Sequence, residues 1–417
     1  MPPSRFVRDS PVYFGWPVTA AAAVAMAATL PGQTAGVSLF IDSFITDLGL
    51  GRGAVSLAYT GATVGSAAVL PFAGRALDRW GPRRGVVVIA VLFALAVAGM
   101  SQVRGLATLA VGFFLLRALG QGSLSLAAIH VVNLWFVRRR GVAVGVMGLG
   151  MAAALAVMPG LIEQGIDGVG WRATYVWMGV AVAGVLLPVG LAFFRRHPEA
   201  YGLVPDGAPG PSDARPEPSV SLVQARRTLP FWVLTAGLAS TACLGTALLF
   251  HHVDVMAAGG LTRAQAALLF VPYGVLTAVS SLGAGAILDR VGPGRVFAAG
   301  LALYAGMLAA APAIATEAAV LGYGAAFGLA QGTLGNVGGS AYAHFFGRAE
   351  IGAIKGFTHT VFVAATAVGP PLVAFGQGAW GYGPTLQGLA LVPAGLAVLA
   401  WLRLDASQAP AGGQAPS

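Results

Sequence analysis

The sequence predicts an all-α, polytopic membrane protein with twelve transmembrane helices in two pseudo-symmetric six-helix bundles. Hydrophobic residues make up 57% of the 417 residues and charged residues only 9%, whereas soluble domains are about one quarter charged. A soluble protein of this length needs far more polar surface than these residues supply. Twelve long apolar runs follow one another along the chain, and one motif occurs in both the first and the second half.

Each apolar run is long enough to cross a bilayer as a helix, which takes about 20 residues. The predicted spans are 13–40, 54–75, 85–103, 106–136, 141–164, 171–194, 229–257, 263–288, 295–313, 318–346, 351–377 and 382–402. The runs exceed the length of a barrel strand and do not alternate polar with apolar residues, so a β-barrel is not predicted.

The longest polar stretch divides the spans into two sets of six. Residues 196–228 are rich in proline and charge, which predicts a cytoplasmic linker. The predicted domains are therefore an N-terminal bundle over 1–195 and a C-terminal bundle over 229–405. Residues 406–417 are rich in Ala, Gly, Pro and Gln, which predicts a disordered tail.

The basic residues predict the orientation. With the N-terminus in the cytoplasm, 19 of the 24 lysines and arginines lie in cytoplasmic segments, four lie outside and Arg117 lies within a span. This is a strong positive-inside bias, so both termini are predicted to be cytoplasmic. Lys355 is the only lysine and alanine is frequent, a composition typical of GC-rich bacterial genomes. The predicted location is therefore a bacterial inner membrane.

The composition argues against several other kinds of function. The net charge of +9 comes from short arginine clusters between apolar runs, so a nucleic-acid partner is not predicted. A single cysteine and scattered histidines are a weak set of metal ligands. The chain has no G-x-x-x-x-G-K-[ST] loop for a nucleotide. We expect no enzymatic activity, no cofactor and no bound metal.

One motif occurs twice, with its two copies 211 residues apart. GRALDRWGPRR at 74–84 follows the second span, and GAILDRVGPGR at 285–295 follows the eighth. A second echo is Gln121 in span four against Gln331 in span ten, each followed by glycine. The two halves therefore have the same topology.

At these residues the chain resembles the major facilitator superfamily, whose loop between spans two and three carries this motif. The resemblance implies alternating access, in which two bundles rock around a central site. It also implies gating by Asp78 and Asp289 through charge-assisted bonds to arginines or helix ends. The alternative is that these charges only anchor cytoplasmic loops. The residues predicted to form the gates are Gly74, Asp78, Arg79, Gly81, Arg84, Gly285, Asp289, Arg290, Gly292 and Arg295.

Three shorter motifs resemble the monocarboxylate transporter and oxalate–formate antiporter group of that superfamily. They are YFGW at 13–16, WFVRRRGVAVG at 135–145 and FHHV at 250–253. That group carries cations within spans eight and eleven, which engage the substrate carboxylate. Here span eight has no cation before Arg290, and span eleven has Lys355 near its start, followed by His359.

Polar residues within the spans are the candidate substrate-binding residues. A charge in hydrocarbon is expensive, so Arg117 is predicted either to bind an anion or to tie helices together through carbonyls. The histidines titrate near neutral pH and suit proton coupling, while the amides and tyrosines could hold a carboxylate by hydrogen bonds or join helices. The predicted set is Arg117, Gln33, Gln121, His130, His251, His252, Gln331, Asn336, His359, Tyr59 and Tyr273.

The leading hypothesis is a secondary active transporter of a small, monocarboxylate-like organic anion, coupled to protons or working by exchange, and functional as a monomer in the bilayer. The alternative is an exporter of lipophilic or cationic compounds. Such an exporter needs a buried carboxylate, and Asp42 and Asp254 lie near outer span ends. A third possibility is a sensor or scaffold that does not transport, which the two intact gating motifs argue against.

Overall fold

The computed structural model describes residues 5–207, 220–262, 265–266 and 268–404, and in this part of the chain it contains helices and no strand. The predicted tail, 406–417, and residues 208–219 of the predicted linker lie outside the described residues. The all-helical fold predicted from the hydropathy pattern is confirmed.

The first half of the chain contains ten main helices, preceded by one turn at Arg5–Arg8. They are α1 (Gly15–Ala28), α2 (Thr34–Ser38), α3 (Ile41–Leu48), α4 (Arg52–Ala67), α5 (Leu70–Trp80), α6 (Pro82–Gly99), α7 (Leu106–Leu116), α8 (Ser125–Trp135), α9 (Arg140–Val169) and α10 (Trp171–Phe193). The segment Arg117–Leu124 joins α7 to α8 as a π-helix.

The second half contains six long helices, one for each of the predicted spans seven to twelve. The helix of span eight begins at Phe270, not at 263 as predicted. They are α11 (Leu229–Ala258), α12 (Phe270–Val291), α13 (Pro293–Ala310), α14 (Glu317–Phe346), α15 (Ile351–Trp380) and α16 (Tyr382–Arg403). Between the halves, the described part of the predicted linker holds the short helical turns Pro198–Tyr201, Pro205–Gly207 and Leu222–Ala225.

The first two predicted spans are not continuous helices, which corrects the sequence-based boundaries. Span one breaks after α1 into the 3₁₀ turn Leu30–Gly32, and Gln33 is extended with φ −85° and ψ 157°. Span two breaks between α4 and α5, where Pro71 lies in the first turn of α5. Proline lacks an amide hydrogen and its ring clashes with the preceding turn, which explains both breaks.

Nine of the described helical segments are long and apolar enough to cross a membrane, and α1 is a shorter apolar helix. The nine are α6, the continuous α7–α8 segment, α9, α10, α11, α12, α13, α15 and α16. Helix α14 fills the predicted tenth span with 30 residues, but it carries amides such as Gln331 and Asn336 and falls outside the nine.

The described residues form two compact units. Unit 1 contains residues 5–138, 146–207 and 349–360, and unit 2 contains 139–145, 220–262, 265–266, 268–348 and 361–404. The first turns of α9 and α15 therefore belong to a different unit from the rest of each helix. The predicted division at residues 195 and 229 remains a prediction.

Each unit has its own apolar core. In unit 1, α10 packs along α6, α8 packs along α1, and α4 packs along α7. In unit 2, α14 packs on α12 and α13, and α16 packs on α11 and α13. Large side chains that are fully buried fill both cores, for example Trp135 and Tyr175 in unit 1 and Tyr304 and Phe297 in unit 2. These rings pack between the helices and fill the interior of each unit.

Candidate functional site

Arg117 lies where the chain leaves regular α-helical geometry. It begins the π-helix Arg117–Leu124, in which the Ser123 hydroxyl donates to the Ala118 carbonyl, five residues back, at 2.8 Å. The 3₁₀ turn of the broken first span packs here, and a Cβ on Gly32 would lie 2.4 Å from the Leu116 carbonyl oxygen. Single-turn π segments inside α-helices occur frequently at functional sites.

The Arg117 side chain is buried, with 3% of its surface exposed. Its Nη1 lies 3.4 Å from the Thr34 hydroxyl, and the guanidinium carbon lies 5.1 Å from the centre of the Tyr59 ring. The Tyr59 hydroxyl in turn donates to the Thr34 hydroxyl at 2.9 Å. These contacts hold the guanidinium in place by a hydrogen bond and a cation–π interaction.

No carboxylate among the described residues lies within 4.0 Å of Arg117, and its Nε has no hydrogen-bond partner there. A buried cation without a paired anion is costly, so such a group is a candidate for binding a charged ligand. The exposed Thr34 and half-buried Tyr59 beside it show that the guanidinium lies close to an accessible surface.

Two predicted amides lie near this arginine in the fold. The Gln33 amide donates to the Thr29 hydroxyl at 3.0 Å, and Gln33 directly precedes Thr34. Gln121 lies on the π-helix one turn after Arg117, and its Oε1 is buried without a hydrogen-bond partner among the described residues. The π segment and the break after α1 thus bring both predicted amides to the same region as Arg117.

Helix α15 adds two titratable groups to unit 1. Lys355 and His359 are four residues apart, so they lie on one face of the helix. Lys355 is buried, with 4% of its surface exposed. Lys355 and Thr34 were missing from the residues predicted to bind substrate. The four-residue spacing of Lys355 and His359 was the signal that could have identified the lysine.

The predicted gate aspartate Asp78 binds the start of α15. Its two carboxylate oxygens accept hydrogen bonds from the backbone amides of Gly352 at 3.0 Å and Ala353 at 2.8 Å. The first amides of a helix have no partner within the helix, and the positive end of the helix dipole favours an anion. Asp78 therefore caps α15 from a different helix.

The second copy of the motif makes the same arrangement in unit 2. Asp289 accepts hydrogen bonds from the amides of Gly141 at 2.8 Å and Val142 at 3.1 Å, at the start of α9. Gly141 and Gly352 are 211 residues apart, the same offset as Asp78 and Asp289. The internal repeat thus includes the partners of each aspartate.

Glycines at both caps allow the helices to approach. A Cβ on Gly74 would lie 2.0 Å from the Gly352 carbonyl oxygen, and a Cβ on Gly285 would lie 2.3 Å from the Gly141 carbonyl oxygen. Any larger residue at Gly74 or Gly285 would therefore push the capped helix away from its aspartate.

The remaining predicted gate residues lie in the turns after each aspartate. Gly81 and Gly292 have φ of +79° and +94°, which side chains other than glycine rarely adopt. The four predicted arginines are exposed and make no ion pair with a carboxylate within 4.0 Å among the described residues. They are Arg79, Arg84, Arg290 and Arg295.

His130 lies beside the first cap. Its Nδ1 is 3.8 Å from an Asp78 carboxylate oxygen, and the imidazole is buried with 3% of its side chain exposed. Burial raises the pKa of Asp78 to about 6, the capping amides of Ala353 and Gly352 oppose this shift, and Glu350 adds to it. The structure thus brings His130, predicted to bind substrate, together with a predicted gate residue.

We expect the free energy of unfolding to fall as the pH rises from about 4 to about 6, because Asp78 loses its proton at a higher pH in the folded state than in the unfolded state. The folded protein keeps a proton on Asp78 up to about pH 6, whereas the unfolded carboxyl releases its proton near its ordinary pKa of 3.8. The folded state therefore binds more protons in this window. Relative to Asp78→Asn, wild-type protein should lose up to about 3 kcal/mol, measured by unfolding at pH 4 and pH 7 in detergent.

Asp47 provides a control, because its contribution to stability should change with pH in the opposite direction to that of Asp78. Its pKa is lowered because Arg172 donates a hydrogen bond to its carboxylate. Its contribution to stability is therefore present at neutral pH and is lost as the pH falls. Parallel pH profiles for wild type and Asp78→Asn would contradict the prediction for Asp78.

The predicted residues of unit 2 mostly bond to backbone carbonyls. The imidazole of His251 lies 3.1 Å from the carbonyl oxygen of Pro370, and that of His252 lies 2.8 Å from the carbonyl oxygen of Ala266. The two adjacent histidines therefore contact different segments of the unit. The His252 ring also stacks on Tyr323 with centroids 6.1 Å apart.

The other three predicted residues of unit 2 lie on α12 and α14. The buried Asn336 amide donates to the carbonyls of Gly141 at 2.9 Å and Ser281 at 2.7 Å, so both of its donor hydrogens join helices. Tyr273 packs against Phe327 with ring centroids 4.9 Å apart. Gln331 is half-buried on α14. No cluster of three or more metal-binding side chains occurs among the described residues.

Comparison with known sequences gives a consistent family match. The model of the Major Facilitator Superfamily matches residues 18–258, which is more than half of the chain. The chain is 26% identical over 273 residues to the Fujikurins efflux protein of Gibberella fujikuroi, covering 63% of this chain and 54% of that protein. It thus spans about half the length of this relative.

Two further matches cover most of the chain. An MFS-type transporter of Gibberella moniliformis is 24% identical over 309 residues, which cover 72% of this chain and 70% of that protein. The probable metabolite transport protein CsbC of Bacillus subtilis is 24% identical over 375 residues, which cover 81% of this chain and 79% of that protein.

Solved structures show the same fold at low sequence identity. The human organic anion transporter MFSD10 superposes with a TM-score of 0.59 at 17% identity, over 95% of this chain and 100% of that one. The proton:xylose symporter XylE, bound to 6-bromo-6-deoxy-D-glucose, superposes with a TM-score of 0.65 at 14% identity, over 94% and 96% of the two chains.

Proposed function

Because this chain belongs to the major facilitator superfamily, we propose that it is a secondary active transporter that moves a small organic anion across the membrane by alternating access. The family and the fold are those of multi-pass membrane transporters, not of enzymes. The observation that carries the choice of an anion is Arg117, a buried cation with no carboxylate within 4.0 Å among the described residues.

The groups around Arg117 suit a substrate with one carboxylate and a small carbon skeleton. The guanidinium can hold two carboxylate oxygens at once by parallel hydrogen bonds. The Tyr59 ring, already packed on Arg117, offers an apolar face to the carbon atoms, and the Thr34 hydroxyl can bond a remaining polar atom. Sites for small molecules combine apolar walls with a few placed polar groups in this way.

Proton coupling is part of the proposal and rests on α15. Lys355 and His359 lie four residues apart on one face of this helix, and histidine is the side chain best suited to carry a proton near neutral pH. The anion and the proton would then bind together and cross together. Exchange of one anion for another, which needs no titrating group, is the alternative form of coupling.

The two aspartate caps are proposed to act as gates. Asp78 bonded to the start of α15, and Asp289 bonded to the start of α9, fix the first turns of these helices. Breaking one cap frees one helix start without breaking covalent structure, which allows a switch between discrete arrangements. We further propose that the protein works as a monomer in a bacterial inner membrane, with both termini in the cytoplasm, as the positive-inside bias predicts.

A second candidate is an exporter of lipophilic or cationic compounds. The Fujikurins efflux protein, 26% identical over 273 residues, favours an outward direction of transport. The charge of the site favours an anion instead, because a cation would be repelled by Arg117, and no described carboxylate lies within 4.0 Å of that guanidinium. MFSD10, whose fold is similar, is named as an organic anion transporter, and this supports the anionic proposal.

Transport into proteoliposomes separates these candidates. Purified protein is tested for uptake of radiolabelled monocarboxylates, dicarboxylates and a lipophilic cation, with and without an inward proton gradient. We expect a monocarboxylate to enter above the level of protein-free liposomes, and a proton gradient to increase its uptake. Transport of the cation alone would favour the exporter. No response to any anion, under a gradient or in exchange, would refute the proposal.

A further inference from the structure

A groove with a volume of about 570 Å³ lies in unit 1, away from Arg117, between the start of α6 and the end of α10. Its lining residues are Trp80, Arg83, Arg84, Val87, Val88 and Leu191. Helices α6 and α10 pack closely below it, where a Cβ on Gly190 would lie 2.9 Å from a Val86 methyl group. The groove is therefore a gap between two helix ends and is separate from the proposed substrate site.

The groove has a charged end and an apolar wall. Arg83 and Arg84 are exposed at the start of α6. Val88 and Leu191, in the wall, are 42% and 46% exposed, and Trp80 beside the arginines is 51% exposed. Side chains with a charged end and an apolar end match the boundary between lipid headgroups and acyl chains, where tryptophan is enriched.

The apolar wall continues along α6. Val91, Leu92 and Leu95 are 40%, 48% and 65% exposed, and they follow Val88 at the spacing of one helical face. In a helix long and apolar enough to cross a membrane, such a face contacts lipid. The groove opens onto this face, so its apolar end is continuous with a surface that acyl chains cover.

Two more arginines from α10 join the charged end. Arg195 and Arg196 follow α10, and a Cβ on Gly81 would lie 3.5 Å from the Arg196 Nε. Burial lowers the pKa of Arg195, and the nearby charge of Arg83 lowers it further. None of the four arginines has a carboxylate within 4.0 Å among the described residues. The repulsion between Arg83 and Arg195 is therefore not offset by a described acidic side chain, which favours binding of an anion.

We propose that this groove binds an anionic phospholipid, with the headgroup phosphate on Arg83 and Arg84 and an acyl chain along Val87, Val88 and Leu191. Basic pockets between helices at the cytoplasmic side of membrane proteins recognise anionic headgroups by this chemistry. The apolar wall distinguishes a lipid from a free phosphate ion, because only a lipid covers both ends of the groove. Arg195 and Arg196 add positive charge near the same phosphate. A bound lipid would bridge α6 and α10 and so stabilise unit 1.

Thermal unfolding of the full-length protein in detergent tests this site. The probes are phosphatidylglycerol, phosphatidylcholine with the same acyl chains, and inorganic phosphate. We expect phosphatidylglycerol alone to raise the midpoint of unfolding, because a ligand that binds only the folded state stabilises it. Its half-maximal concentration should increase roughly fivefold for each arginine removed, first in Arg83→Ala and then in Arg83→Ala with Arg195→Ala.

Two further variants keep the test decisive. Arg403→Ala removes an exposed arginine at the end of α16, outside the groove, and should leave the titration unchanged. Val88→Asp puts a negative charge in the wall. It should weaken the binding of phosphatidylglycerol even though all four arginines remain. Native mass spectrometry then counts bound lipid independently of unfolding. Equal shifts from both lipids, an equal shift from phosphate, or no effect of the groove variants would overturn the proposal.

Discussion

Replacing Arg117 by methionine is expected to weaken binding of the transported anion by about 100-fold while leaving the folded protein at least as stable as wild type. A hydrogen bond between charged groups is worth up to about 3 kcal/mol, so loss of the guanidinium should cost about this much binding free energy. Stability should not fall, because Arg117 is 3% exposed and no described carboxylate within 4.0 Å compensates its charge. A methionine of similar length removes that desolvation cost.

A second variant, Arg117→Lys, separates the effect of the charge from the effect of the guanidinium geometry. It keeps the charge but loses the planar fork and the stacking on Tyr59, which lies 5.1 Å from the guanidinium carbon. Binding should therefore be intermediate between wild type and Arg117→Met. Equilibrium binding of the labelled substrate and unfolding midpoints are measured on the same preparations, with Arg104→Met as an exposed control. Binding by Arg117→Met within threefold of wild type would rule out Arg117 as a substrate ligand.

Replacing Asp78 by alanine is expected to accelerate hydrogen exchange of the Gly352 and Ala353 amides by 10- to 100-fold. These amides lie in the first turn of α15 and have no partner within the helix, so their protection depends on the Asp78 carboxylate. Each of these charge-assisted bonds contributes roughly 1.5–3 kcal/mol. Transport should slow in the same variant, because one gate no longer fixes its helix.

The internal repeat supplies a matched control. Asp289→Ala should accelerate exchange at Gly141 and Val142 and leave Gly352 and Ala353 protected, since each aspartate caps a different helix. Exchange is followed by mass spectrometry of peptides that cover the two helix starts. If either variant deprotects both helix starts equally, or neither, the local caps do not explain the protection and the proposed gates fail.

Much of the fold could be predicted because hydropathy reports directly on burial in lipid. Ten of the predicted spans, from the third to the twelfth, coincide with helical segments, since about 20 apolar residues in a row have few other stable arrangements. The breaks after α1 and before α5 could not be placed from apolar content. They depend on Pro31 and Pro71, whose effect on a helix varies with the neighbouring groups that donate hydrogen bonds to the freed carbonyls.

The candidate site could be predicted only as a set of residue types. A buried arginine in an apolar run is visible as a costly charge, so Arg117 stood out. The sequence does not show that Tyr59 and Thr34 surround it, because these contacts depend on how α4 and the turn after α1 pack on the π-helix. Lys355 was not predicted to bind substrate, because a cation near the start of a span usually belongs to the adjacent loop.

The sequence by itself determined the membrane class, the duplicated motif and the presence of an arginine, Arg117, within a predicted span. Each follows from local composition or from a pattern that repeats along the chain. Only the tertiary structure decided what the aspartates bind: Asp78 and its partner amides lie 274 and 275 residues apart. Backbone amides carry no sequence signature, so the helix start that an aspartate caps depends on packing, which here is made close by Gly74 and Gly352.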